Sequence, residues 1–182
     1  GKLFLNGRHA GDYNAQAAIS RIISKKGTFV KLSFQNISRT PAENFYGLTS
    51  FPIQPITSLS KENTTQLEGM LANNSAGWNA SVNYQMVQNY HYYNTGIQPM
   101  VYGSLMSYLR GQVEQKVKIS KHWNWYNEVH LQLVDATSPI RVPTVLTRQR
   151  IAFEGVFYKN LNMSTGLEFI YHTAFKAGDY MP

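Results

Sequence analysis

The sequence predicts an all-β fold: an antiparallel up-and-down meander of about nine strands that forms part of a transmembrane β-barrel. Three observations predict it. Apolar and polar residues alternate with period two, as in "WNASVNYQM" and "WNWYNEVHLQLV". Tight turns gather at one end of the predicted strands and long connections at the other. The composition is polar without being charged: charged residues make up 15%, against about 25% in soluble proteins. Aromatic residues reach 13%, with 12 Tyr, 9 Phe and 3 Trp.

Strands are expected at about 2–9, 13–24, 28–38, 63–72, 77–90, 100–120, 123–134, 144–158 and 161–174, within a single barrel segment, 1–182. In the third, Val30, Leu32 and Phe34 alternate with Lys31, Ser33 and Gln35. In the fifth, Trp78, Ala80, Val82, Tyr84 and Met86 alternate with Asn79, Ser81, Asn83 and Gln85. In the seventh, Trp123, Trp125, Val129, Leu131 and Leu133 alternate with Asn124, Tyr126, Glu128, His130 and Gln132. The last two repeat the pattern around Ile151, Phe153 and Phe157, and around Leu161, Met163, Leu167 and Phe169.

Turn lengths follow from parity. A loop of even length moves the apolar face from odd to even numbers, and a loop of odd length keeps it. The patterns place Ile23 opposite Val30 and Leu71 opposite Trp78, with a switch. They place Ile119 opposite Trp123 and Phe157 opposite Leu161, without one. Between Val101 and Ile119 parity never changes, so this stretch is read as one strand; a three-residue loop centred on Gly111 would also keep parity. Two glycines and β-branched residues disfavour a helix there. A strand of that length, tilted near 45°, rises roughly 45 Å, so one end is expected to project beyond the bilayer at the long-loop side.

The order and wording of several segments resemble the putative porin family of Bacteroidota outer membranes. The resembling pieces are "GRHAGDYNAQAAIS", "SRTPAENFY" and the stretch from "NEVHLQLVDATSPIRVP" through "RQRIAFEGVFYKNLNMSTGLEF" to "GDYMP". The similarity covers most of the chain and is best from about Gln98 onward. It implies an outer-membrane β-barrel that passes small solutes or ions. Because family members are longer, it also implies an internal piece of a longer barrel. The start at Gly1 rather than Met, with no signal peptide, fits a processed or truncated chain.

Several function classes are disfavoured. No run of 18 apolar residues exists to form a membrane-spanning helix. Cysteine is absent, which removes disulfides and thiolate metal sites. The net charge is +7, but the Lys and Arg are scattered, so no nucleic-acid partner is expected. His9, His91, His122, His130 and His172 do not pair at metal-ligand spacing, and no nucleophile-elbow, zinc-protease or phosphate-loop motif occurs. The expectation is no enzyme, no catalytic residue, no metal and no cofactor.

The candidate site residues lie on the polar faces. Lys31, Arg110, Glu114, Lys116, Lys118, Glu128, Arg148, Arg150, Glu154 and Glu168 are expected to line a wet lumen, along with Arg8 and Glu68. The small excess of bases would favour anions through its summed field; alternatively, these charges neutralise one another. Trp78, Trp123 and Trp125 follow tight turns and are expected at one lipid interface. The expected partners are the lipid bilayer, small solutes or ions, and envelope proteins. Two alternatives stay open: a plugged structural barrel of an envelope complex, and a soluble ligand-binding β-barrel with the faces reversed.

Replacing Val129 or Leu131 with Arg is expected to cost about 2–4 kcal/mol at mid-bilayer depth. Replacing Glu128 or His130 should cost little. A denaturant titration of folding into lipid vesicles checks this, and equal tolerance on both faces contradicts the face assignment.

Overall fold

Alternating residues pair as their alternation demands, and the result is a continuous sheet. The computed structural model describes residues 1–25, 27–42, 45, 60–94, 96 and 98–176. The strands are β1 (Lys2–Leu3), β2 (Tyr13–Ile22), β3 (Thr28–Arg39), β4 (Glu62–Asn73), β5 (Trp78–Gln88), β6 (Tyr90–Tyr93), β7 (Pro99–Tyr102), β8 (Met106–Lys118), β9 (Trp123–Val134), β10 (Val145–Phe157) and β11 (Leu161–His172). A nine-stranded sheet runs in the order β1-β2-β3-β4-β5-β8-β9-β10-β11, and β6 and β7 form a separate pair. All pairs are antiparallel. The meander expected from the sequence is therefore the architecture. Among the described residues no pairing joins β11 to the β1–β2 edge.

The strand expected over 2–9 shortens to Lys2–Leu3. Gly7, with φ +76°, and Gly11, with φ +78°, turn the chain beyond it, and Phe4 N donates to Asp12 O at 2.9 Å. This turn is tied to β4. Lys61 Nζ lies 2.7 Å from Asp12 Oδ1, and the Thr40 hydroxyl donates to the same oxygen at 2.8 Å. Burial opposes ionisation of Asp12, but Lys61, Thr40 and His9 outweigh it and hold the carboxyl well below the usual range.

Two of the expected turn registers hold and two slip. Ile119 N donates to Trp123 O at 2.9 Å, and Phe157 faces Leu161. At the other two turns Val30 faces Arg21 and Leu71 faces Ala80. The loops there are 24–27 and 74–77, longer than the two-residue turns inferred. Each ends on a glycine in the left-handed region, Gly27 at φ +80° and Gly77 at φ +68°, the residue that accepts this conformation without a Cβ clash. Both loops have even length, so the slip leaves every side chain on its expected face.

The strand expected over 100–120 is broken, and so is the end of the one expected over 77–90. Val87 pairs with Met106 and Tyr90 with Tyr102. Gln88 and Asn89 therefore oppose Gly103, Ser104 and Leu105, one extra residue on the second arm. Asn89 takes φ +57°. An extra residue opposite a left-handed one bends a hairpin sharply. The β6–β7 hairpin thus leaves the sheet instead of extending it, and the projecting strand of the sequence reading is replaced by a folded-over hairpin. It comes to rest with the 135–144 connection beside the end of the sheet. Tyr102 Oη and Thr137 Oγ1 are 3.0 Å apart, and the Ser138 hydroxyl donates to Met106 Sδ at 2.9 Å.

His91 of β6 is 5% exposed, and among the described residues neither ring nitrogen has a side-chain hydrogen-bond partner. The Phe45 ring tilts against it at 5.6 Å and stacks on Tyr93 at 4.8 Å. Burial pushes the His91 imidazole below its ordinary range, with Glu62 and the Asn89 backbone opposing and Arg39 adding to the shift. A base depressed in the fold takes up its proton more readily once the hairpin opens. Hairpin stability is therefore complete above the ordinary value of 6.5 and declines as pH falls through it. Amide hydrogen exchange, corrected for intrinsic rates, should show protection over Tyr90–Tyr93 falling between about pH 7.5 and about pH 5.5. Protection in β9 should hold, and His91→Phe should abolish the difference.

Candidate functional site

Register carries one face across the whole sheet. Starting from Lys31 on β3, the paired positions are Met70, Ser81, Gln112 and His130. A second row runs Ser33, Glu68, Asn83, Arg110 and Gln132. A third runs Asn79, Glu114, Glu128 and Arg148, and a fourth Lys116, Tyr126, Arg150 and Glu168. Lys118 lies one strand-period beyond Lys116, and Glu154 two periods beyond Arg150. Every strand-borne charged residue proposed from the sequence thus falls on a single face. Arg8 lies outside the strands.

The structure brings a subset of these charges together around Tyr126 of β9. Lys116 Nζ sits 4.9 Å from the ring centroid and Arg150 Cζ 5.6 Å, both within cation–π range. The Tyr126 hydroxyl donates to Glu154 Oε1. Asn124 Nδ2 donates to Glu154 Oε2 at 2.7 Å, and Lys116 Nζ lies 3.5 Å from the same oxygen. Lys116 of β8 therefore reaches Glu154 of β10 across the intervening strand. Arg148 meets Glu168 through Nε at 2.8 Å and a terminal nitrogen at 2.7 Å. Glu114, Tyr126, Glu128, Arg148 and Arg150 surround an open hollow of about 270 Å³.

Other candidates are held apart. Glu114 and Glu128 are directly opposed, a repulsive arrangement unless each is compensated. Asn79 Nδ2 donates to Glu114 at 2.6 Å and Gln112 donates to its other oxygen, while His130 Nε2 lies 2.7 Å from Glu128. Glu68 accepts from Ser33 at 3.0 Å. Arg110 donates to Gln112 at 2.7 Å and Arg150 to Ser164 at 3.0 Å. Each carboxylate on this face has a hydrogen-bond or ionic partner. Lys31, Arg110, Lys118 and Arg150 have no carboxylate within ion-pair distance among the described residues. The residual character of the face is positive.

Sequence reasoning missed the neutral partners: Tyr126, Asn79, Asn124, Gln112 and Ser164. Their signal was parity, since they share the charged residues' positions in the alternation. It also missed the ion pair of Arg39 with Glu62, at 2.6 Å. Both residues lie one position outside the expected strands 28–38 and 63–72, where strand and loop cannot be told apart by pattern.

The opposite face is apolar and open. One hollow on it is bounded by Val30, Leu32, Leu71, Ala80, Val82, Val113, Val129 and Leu131, spanning β3 to β9. Leu131 is 55% exposed and Leu133 58%, whereas Asn124 of the same strand is 8% exposed. The buried apolar residues among those described are Ala72, Val87, Met106 and Ala152, and register puts all of them on the polar face. On β3 to β5 and β9 the polar face is the more covered one, whereas β11 is exposed on both faces.

The apolar face is bounded at both ends. At the tight-turn end stand Trp78 and Trp123, the first residues of β5 and β9, with Trp125 one period on. Trp123 meets Phe153 edge-on at 5.5 Å, and Trp125 Nε1 donates to Gln149 at 3.0 Å. At the long-loop end the Tyr13 hydroxyl donates to Asn36 at 2.6 Å, and Asn36 Nδ2 donates to Thr65 at 2.7 Å and Asn63 at 3.1 Å.

Glu154→Gln should lower unfolding stability by about 1 kcal/mol, because several donors converge on that carboxylate. Arg148→Gln should leave the unfolding midpoint unchanged, since its ion pair with Glu168 is solvent-exposed. Urea titrations of the two variants check this ordering.

A family model described as "Putative porin" matches residues 1–182, the whole chain. No curated protein and no solved structure matches.

Proposed function

The chain belongs to the putative porin family, and from that premise we propose that it forms wall of an outer-membrane β-barrel that passes small solutes or ions passively. The observation that carries this reading is the inverted burial of the central strands: on β3 to β5 and β9 the large apolar side chains are the exposed ones, and the polar face is the more covered. In water such an apolar surface would drive association. Against lipid it is the stable arrangement.

Dimensions support the same reading. The long strands, β2 to β5 and β8 to β11, span 10 to 13 residues, and a tilted transmembrane strand needs about 9–11. On β4 the apolar face is limited by Thr65 and Asn73. At about 3.3 Å per residue and a tilt near 40°, that interval spans roughly 20 Å, close to the roughly 25 Å apolar band of such barrels. The Trp residues then sit at one interface. The family suggests the outer-membrane location.

In this reading Arg110, Lys116, Lys118, Arg148 and Arg150 set ion preference, with Lys116 and Arg148 partly neutralised by Glu154 and Glu168. Their field acts over about 8–10 Å at physiological salt, so it matters near a constriction. A plugged structural barrel is the second reading, and one observation favours it: the β6–β7 hairpin and the 135–144 connection fold beside the end of the polar face. Reversal potentials of the full-length protein in a planar bilayer decide. Arg148→Glu with Arg150→Glu should shift selectivity from anions towards cations. No current from correctly folded protein would leave the plugged barrel as the account.

A further inference from the structure

At its long-loop end the polar face changes character. The row Ile37, Thr64, Val87, Met106 falls where parity elsewhere places amides and charges. Three of these four side chains are apolar, although they face away from the proposed lipid surface. Ile140 and Val142 of the 135–144 connection and Tyr90 of the hairpin line the same partly open hollow, of about 320 Å³.

We propose that this is a binding pocket for an uncharged amphiphilic solute: a ring-sized molecule with one apolar face and hydroxyl or carbonyl groups on the other. The proposal rests on the polar face being the barrel interior. The volume lies at the lower end of small-molecule pockets, about 300–1,000 Å³, and far above the roughly 30 Å³ of one water. Adjoining the apolar row, Gln66 and Gln85 line the pocket with amides that hold no side-chain partner among the described residues. They supply both donors and acceptors. Among the described residues the charges at the pocket are Arg39 and Glu62, which meet each other at 2.6 Å. A pocket whose charges cancel internally gives little to an ion and loses little to a neutral molecule.

The walls are fixed before any ligand arrives. The Tyr108 hydroxyl donates to Gln132 at 2.6 Å, and Gln132 Nε2 donates to Pro143 O at 3.1 Å, which ties the connection to the sheet. Ser107 N donates to Asp135 Oδ2 at 2.6 Å, and the Ser107 hydroxyl to Oδ1 at 2.8 Å. Such anchoring lowers the ordering cost of binding.

The test uses phenyl β-glucoside as the neutral probe, with benzoate and benzylamine as charged probes of similar size. Saturation-transfer NMR on the full-length protein in nanodiscs reads binding without any current, so a barrel that does not conduct leaves the test intact. Phenyl glucoside should bind with millimolar or tighter Kd. Val87→Phe, which fills the pocket, and Gln85→Leu, which keeps its shape, should each weaken binding by about tenfold or more. Arg150→Gln, at mid-wall, should not. Heat-resistant gel migration confirms that the variants fold. Absent saturation transfer, binding unchanged in both pocket variants, or tighter binding of either charged probe would overturn the proposal.

Discussion

The constraint on which everything else depends is cross-strand register. Strand pairing from β2 through β11 carries the alternation of each strand onto the next without a change of face. A slip of one residue at any turn would move all later apolar side chains to the polar side. The turns respect this by their length: two are even, ending on Gly27 and Gly77, and two are odd. Because parity survives, Lys31 on β3 and Glu168 on β11 share a surface although most of the chain lies between them.

That surface is built for water and the opposite one is not. The polar face satisfies itself through short cross-strand contacts, such as Asn79 to Glu114 and Ser33 to Glu68, and leaves bases over. Among the described residues the apolar face carries one short chain between its margins, Trp125 to Gln149 to Thr147, and its large aliphatic side chains remain open. The folded-over hairpin adds a second layer of meaning. It withdraws chain that would have lengthened the sheet and places Tyr90 at the long-loop end of the polar face, where apolar side chains replace amides. One bend at Asn89 thus takes the hairpin out of the sheet and brings Tyr90 to the partly open pocket.

Much of this was legible in the sequence because period two is a direct readout of a two-faced sheet. The charged candidates fell on one face since each sat at a polar position of a clear alternation. The hairpin was not legible. Parity between Val101 and Ile119 is unbroken in the sequence, yet Val101 pairs with His91 in another sheet, so its place in the count carries no register information. Only Asn89 hinted at a turn, and an Asn amid Asn-rich strands gives no contrast. The exact turn registers at 24–27 and 74–77 were hidden because loops of two and four residues give the same parity. Arg39 with Glu62 was lost to strand ends, where polar residues belong equally to strand and loop.

The central claim is that the odd-numbered face of β9 meets lipid and the even-numbered face meets water. Residues 1–182 hold no cysteine, so single cysteines can be placed from Glu128 to Leu133 in a full-length protein cleared of any other cysteine, and spin-labelled in lipid vesicles. The account predicts that labels at Val129, Leu131 and Leu133 relax with dissolved oxygen. Labels at Glu128, His130 and Gln132 should relax with a water-soluble nickel chelate. The reverse alternation, with nickel at the odd positions and oxygen at the even ones, would contradict it and turn the barrel inside out.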